Sequence, residues 1–266
     1  MEEKEKTSIW NLYEVGKEYN NMQNLYIEGK ENYNFYHGRQ WEGLKRPISS
    51  GDPIVLNIVK PIVKYKTNIV NQNSYSIVFN PNTYETQEEL KTLRDVTKGL
   101  NQFVMRMWEK SQSGKKVKNI VRNSAINGEG IIHFFSDGDN IDSEEIDKNN
   151  IYYGNESEAN IQSQPYILIT FRKPVEDVKN LARKYKEEGK NKLKNSDIKN
   201  IVADQEIYEQ QGSEKMQQEI SPMCLVVMKF KKNEKGTITV SASTQKVDIL
   251  DEQDTEATLY PFAHYN

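Results

Sequence analysis

The chain has 266 residues, a formal net charge of -3 and 36% hydrophobic residues; that length gives one large domain or two small ones and suffices to bury a substantial core. A sequence pI of about 5.8 excludes the globally basic footprint of a nucleic-acid binder, and 15 Tyr, 8 Phe and 3 Trp exclude a disordered chain, which lacks aromatics. The single cysteine, Cys224, excludes an intrachain disulfide framework and points to a reducing compartment. The acidic start MEEKEKTS lacks the apolar centre of a signal peptide, and no apolar run approaches the ~18 residues of a membrane span.

Residues 8–36 are predicted as one long amphipathic helix, because Leu12, Val15, Tyr19, Met22 and Tyr26 recur at steps of three or four. Gly38 and Trp41–Gly43 end it, and Pro47, Ser49, Ser50, Gly51 and Pro53 mark residues 44–53 as a loop. A second helix is expected over 54–72, with Ile58, Ile62, Tyr65 and Ile69 on one stripe that packs on a sheet; Pro61 either kinks it or sits in its first turn. Ser76–Phe79 is a short strand candidate. Thr86-Gln-Glu-Glu89 is a capping-box pattern that opens a helix over 84–112, carried by Leu90, Leu93, Thr97, Leu100, Val104, Met107 and Trp108. After a break at Ser111–Gly114, residues 115–127 continue helical through Val117, Ile120, Val121 and Ala125. Gly128 and Gly130 then release the chain into a strand, Ile131–Phe135.

The acidic stretch 136–150 reads as a loop. Ile151–Tyr153 and Tyr166–Phe171 are strand candidates, and Pro174 starts a helix with Glu176 and Asp177 at the positive end of its dipole. Residues 189–221 are polar and Gln-rich, which predicts a flexible excursion with short helical pieces. Met223–Lys231, Thr237–Ala242 and Lys246–Leu250 form a β-meander with a hairpin turn at Lys232–Gly236. The class is α+β: long N-terminal amphipathic helices on a mixed or antiparallel sheet, then a C-terminal meander. The organisation expected is one region over 1–266, comprising an N-terminal helix and loop (1–53), an α/β core (54–188), the polar excursion (189–221) and the meander (222–266).

Chemistry-bearing motifs are sparse. The histidines are His37, His133 and His264, and none has a second His at helical metal-site spacing. His133, inside Ile131–Phe135, reads as a satisfied core or edge histidine. The loop Asp137–Asp142 fails the calcium-loop test, with Ile141 at the fifth position, Asp142 where glycine is needed and Lys148 at the twelfth. A metal-dependent hydrolase using His133 and that loop is therefore a remote option. Gly128-Glu-Gly130 lacks a third glycine and precedes a strand, the wrong order for a dinucleotide turn. No phosphate-binding loop or nucleophile elbow occurs, and Cys224 in its apolar strand reads as an inert buried thiol. These patterns assign no catalytic, cofactor-binding or metal residue and indicate a non-enzymatic chain with no cofactor. The basic run Lys110, Lys115, Lys116, Lys118 and Arg122 is a candidate DNA-facing surface, since phosphate attraction needs no motif. Tyr33, Tyr36 and Trp41 are candidate subunit-interface aromatics, expected to be exposed. A stand-alone nucleic-acid-binding module using the 110–122 helix is the alternative reading.

Several segments in order resemble the portal proteins of tailed bacteriophages. They are Asn34-Phe-Tyr-His-Gly-Arg-Gln-Trp41, Val55-Leu-Asn-Ile-Val-Lys-Pro-Ile-Val-Lys-Tyr-Lys66, Asn123-Ser-Ala-Ile-Asn-Gly-Glu-Gly-Ile-Ile132, Ile151-Tyr-Tyr-Gly-Asn155, Ile161–Ile169 with Arg172, and Leu259-Tyr-Pro-Phe-Ala263. The resemblance implies a structural subunit of a homo-oligomeric ring, dodecameric at full length, at one capsid vertex of the virion and assembled in the bacterial host cytoplasm. It implies roles in procapsid assembly, DNA packaging and ejection, and head–tail connection. The implied partners are terminase, capsid and scaffold proteins, head-completion proteins and double-stranded DNA, with no membrane. It further implies that this sequence is the wing portion, ending before the stem, clip and crown.

Overall fold

The computed structural model describes residues 8–42, 54–72, 77–81, 86–137, 140–204 and 222–265. Its first departure from the sequence pattern is at Asn24, whose φ of 58° is left-handed. Asparagine tolerates this conformation, and one such residue breaks the hydrogen-bond ladder. The predicted single helix is therefore two, α1 (Ser8–Met22) and α2 (Leu25–His37). Helix α3 (Val59–Asn71) begins late enough to put Pro61 in its first turn, where a missing N–H costs nothing. Asn57 Oδ1 accepts from Lys60 N at 3.1 Å and satisfies one of the remaining free donors. Residues 77–79 form no strand. Phe79 instead bonds the side chain of Asn101, its N–H to Oδ1 at 2.7 Å and its carbonyl to Nδ2 at 3.1 Å. Ser76, the first residue of that strand candidate, lies outside the described residues, as does the predicted loop over 44–53. Helix α4 (Gln87–Lys110) opens on the Thr86/Glu89 capping box, and α5 (Ser113–Asn127) follows a left-handed Gln112.

Among the described residues the strands form two antiparallel sheets, and the chain divides into two compact units. The first unit, Met1–Tyr26 with Asn149–Tyr260, holds β3 (Ile151–Tyr153), β4 (Tyr166–Pro174), β5 (Met223–Lys232), β6 (Ile238–Ser243) and β7 (Asp248–Asp254), paired in that order. Both faces of this sheet are covered. Ile9, Trp10 and Tyr13 of α1 pack on Tyr152, Leu168, Leu225 and Val227. On the other face, Val175, Val178 and Ala182 of α6 (Val175–Glu187) and Ile198 of α7 (Asn195–Lys199) meet Cys224, Val226, Ile249 and Leu250. Two covered faces explain the unbroken apolar run Cys224–Val227, because successive side chains enter opposite cores. Gly16 of α1 is tight against this sheet: a Cβ there would come within 2.9 Å of the Tyr152 ring.

Part of the predicted polar excursion belongs to this core. Asn191 is buried and donates to the carbonyls of Ala182 and Ile249, while Ile198 and Ile201 are buried among the apolar residues under α6. Residues 205–221 lie outside the described residues.

The second unit, Ile27–Lys148 with Pro261–Asn266, carries the sheet β2-β1-β8, formed by β1 (Gly130–Asp137), β2 (Asn140–Ile146) and β8 (Phe262–Tyr265). The stretch 136–150 thus contains a strand and is not simply a loop. Its register, Ile131 opposite Ile146, His133 opposite Glu144 and Phe135 opposite Asp142, forms a hairpin with β1. The acids hid this strand because β2 is an edge, where charged side chains are favoured for guarding unpaired backbone. Helix α5 lies on the sheet, and α3 and α4 pack against α5. Gly130 allows that approach, since a Cβ would sit 2.6 Å from Ile120 Cγ2.

Burial pushes the Cys224 thiol up to about 12, with the Asp204 carboxylate adding to the effect. We expect native Cys224 to resist maleimide labelling at neutral pH. Leu168→Ala, in a site with no solvent exposure, should cost about 2–5 kcal/mol and accelerate labelling in proportion, as followed by mass spectrometry in mild denaturant.

Candidate assembly surfaces

The five basic candidates divide by their position on α4 and α5. The inward face of α5 is Ser113, Ile120, Val121 and Ser124. Lys115, Lys118 and Arg122, at i, i+3 and i+7, lie on the opposite stripe and are exposed. Lys116 lies on the flank, where its Nζ is 2.7 Å from Asp142 Oδ1 and also donates to the Ser143 carbonyl. Lys110, at the end of α4, donates to Asn140 Oδ1 at 2.6 Å. Two of the five therefore fasten the helices to β2, and three form an exposed cationic stripe.

The aromatic candidates also separate. Tyr36 is buried, not exposed as expected: its ring meets His37 edge-on and lies 5.8 Å from Lys60 Nζ. Its backbone carbonyl accepts from Asn57 Nδ2, which ties α2 to the segment before α3. Tyr33 is half-buried and stacks on His37; burial first, then the Asp147 carboxylate, raises its hydroxyl above the ordinary tyrosine value. Trp41 is 43% exposed, with Nε1 3.4 Å from the Ile54 carbonyl.

His133 is buried against Phe262, ring centroids 4.9 Å apart, with Nδ1 2.9 Å from Glu144 Oε1. Asp142 of the suspected calcium loop is engaged by Lys116, and residues 138–139 of that loop lie outside the described residues. Glu129 bridges His264 at 2.9 Å and Lys148 at 3.1 Å. Among the described residues, no three His, Cys, Asp or Glu side chains are placed to share a metal ion, and no helix is long and apolar enough to cross a membrane.

Two surfaces escaped the sequence reading. In the first unit an open groove of about 640 Å³ between α6 and α7 is lined by Lys179, Arg183, Lys186, Lys199, Glu176 and Asn195. The i, i+4, i+7 spacing of Lys179, Arg183 and Lys186 carried that signal. In the second unit the apolar stripe of α3 faces out, with Ile58, Ile62, Tyr65 and Ile69 all exposed. Its spacing was legible and its direction was not.

These features describe an α+β scaffold that presents charged and apolar contact surfaces. The family model of the phage P22-like portal protein matches residues 14–166, more than half of the 266-residue chain, and the chain belongs to that family. The family is structural, and its members occupy the capsid vertex of the virion as homo-oligomeric rings. The match contains the segments 34–41, 55–66, 123–132 and 151–155 that carried the resemblance. No individual curated protein matches the chain.

The Lys116 hydrogen bond, followed by the Ser143 backbone N–H, holds the Asp142 carboxyl below the usual aspartate range. A lowered folded pKa stabilises fully above the unfolded value, and that contribution fades as pH falls through the folded value. The pair is partly exposed, so its worth is below about 1 kcal/mol. NMR titration should find Asp142 ionising at lower pH than a free aspartate, and Lys116→Met should move it part of the way back, with the Ser143 N–H bond still holding it low.

Proposed function

We propose that this chain is the wing-like part of a phage portal subunit, whose full-length gene product forms a ring, dodecameric in number, at the capsid vertex. In this role it supports procapsid assembly, DNA packaging and ejection, and the head–tail connection. Its partners are terminase, capsid and scaffold proteins, head-completion proteins and the DNA that passes the ring, and assembly takes place in the host cytoplasm. The observation that carries the reading is the family match over residues 14–166. The wing assignment also fits two sheets whose helices keep outward faces available to neighbours. Mass photometry of the full-length product should show a closed oligomer many subunits in mass; a monomer across micromolar concentrations would overturn the reading.

The exposed stripe Lys115, Lys118 and Arg122 keeps DNA contact open as its own question, and it serves equally a DNA-facing ring surface or a stand-alone binding module. Each cation that meets a phosphate steepens the salt dependence of binding by about 0.9 in log–log slope. Replacing all three with Gln should flatten that slope by roughly 0.9 for each phosphate no longer neutralised. An unchanged slope in fluorescence anisotropy would remove the stripe from any DNA interface. DNA binding without ring formation would favour the stand-alone module.

A further inference from the structure

Helix α3 is built the wrong way round for a subunit that stays alone. The side turned inward carries Thr67, which is buried, with Lys60, Val63 and Asn71 half-buried beside it. The Thr67 hydroxyl is satisfied within the helix by the Lys64 carbonyl at 3.2 Å. The opposite side carries Ile58, Ile62, Tyr65 and Ile69, with Ile62 53% and Tyr65 70% exposed. Two apolar residues just before the helix are also open to solvent, Ile54 at 89% and Leu56 at 73%. A helix normally buries its apolar stripe and leaves polar residues outside, so this stripe is shaped for a surface that a single described unit does not supply.

The exposed area suits a protein partner. At roughly 150 Å² for a large side chain, these six residues leave on the order of 600 Å² open. That reaches the top of the range for the largest apolar patch on a monomer, ~300–600 Å². It is also most of the ~800 Å² that each side contributes to a standard specific interface. Charge selects the symmetry of the contact. Residues 59–71 contain Lys60, Lys64 and Lys66 and no acid. Lys64 and Lys66 are exposed on either side of Tyr65, and two α3 helices packed face to face would bring these like charges together, which disfavours a two-fold pairing of like surfaces. A head-to-tail contact uses two different patches of each subunit and gives a ring when its rotation closes. The same chain offers the opposite charge elsewhere, at Asp248, Asp251, Glu252, Asp254 and Glu256 on and after β7.

We infer that the outer stripe of α3, with Ile54 and Leu56, is one half of a head-to-tail contact that docks on a different face of a second copy of this chain. The inference rests on the portal reading for the existence of a ring and adds which surface closes it. Lys64 and Lys66 form the polar rim of the patch, and burial of the isoleucines and Tyr65 supplies the driving force.

The test uses the full-length gene product with a photoreactive benzoylphenylalanine in place of Tyr65. Ultraviolet irradiation of assembled rings should give a ladder of covalent species at successive multiples of the subunit mass, with peptides mapping to a region other than α3. A second variant, Ile62→Asp, places a charge on an already exposed position. It should keep the wild-type thermal melt of the isolated subunit while lowering the ringed fraction at least tenfold. Cross-links confined to one subunit, cross-links to a different phage protein, a dimer with no higher rungs, or undiminished rings in Ile62→Asp would each overturn the inference while leaving the portal reading in place. Absence of rings in the unmodified protein would instead bring down the portal reading itself.

Discussion

The pairing of β4 with β5 is the constraint on which the first unit depends. From Tyr166 opposite Lys231 to Pro174 opposite Met223, the two strands run in unbroken antiparallel register. Their central residues Ile167, Leu168, Ile169, Val226 and Val227 have no measurable exposure. A sheet buried on both faces needs two independent apolar covers, and α1 and α6 provide them from distant parts of the sequence. A register slip of one residue would exchange the cores of the two faces, sending Leu225 and Val227 to the α6 side and Val226 to the α1 side. The order of side chains along Cys224–Val227 therefore specifies register as well as burial.

The second unit works by different physics. Its sheet is short, its edge strand β2 is acidic, and much of its cohesion is polar: Lys116 to Asp142, Lys110 to Asn140, Asn123 to Glu145, and Glu129 between His264 and Lys148. Such contacts position elements more than they stabilise them, since partly exposed ion pairs contribute little net free energy. The apolar residues that would ordinarily supply stability are in part turned outward, on α3 and at Val96, Phe103 and Met105 of α4. Under the proposed head-to-tail contact, the free energy withheld from the subunit would be recovered where subunits meet.

The same asymmetry accounts for the functional candidates. Of the five basic residues on α4 and α5, spacing alone could not separate Lys110 and Lys116, which reach β2, from Lys115, Lys118 and Arg122, which do not. Tyr33, Tyr36 and Trp41 fall close together in sequence but at three different depths, because Tyr36 alone lies where Asn57 and Lys60 close over it. The groove beside α6 was written in Lys179, Arg183 and Lys186, but it needs α7 to become a groove.

Local chemistry was legible in the residues themselves. Thr86 and Glu89 specified a helix start, Gly128 a helix end with φ of 89°, and the apolar run at 224–227 a buried strand, while Pro61 allowed either a kink or a first turn until the late start of α3 decided for the turn. The family, too, was carried by short segments in order. Decisions between distant residues were left to the tertiary structure. Hairpin pairing with β1 made a strand of the acidic stretch 140–146, a left-handed Asn24 split a helix whose periodicity ran straight through it, and packing on α5 decided which side of α3 faced in. Amphipathic spacing defines a stripe but not what covers it, since periodicity is a property of one segment and burial is a property of two.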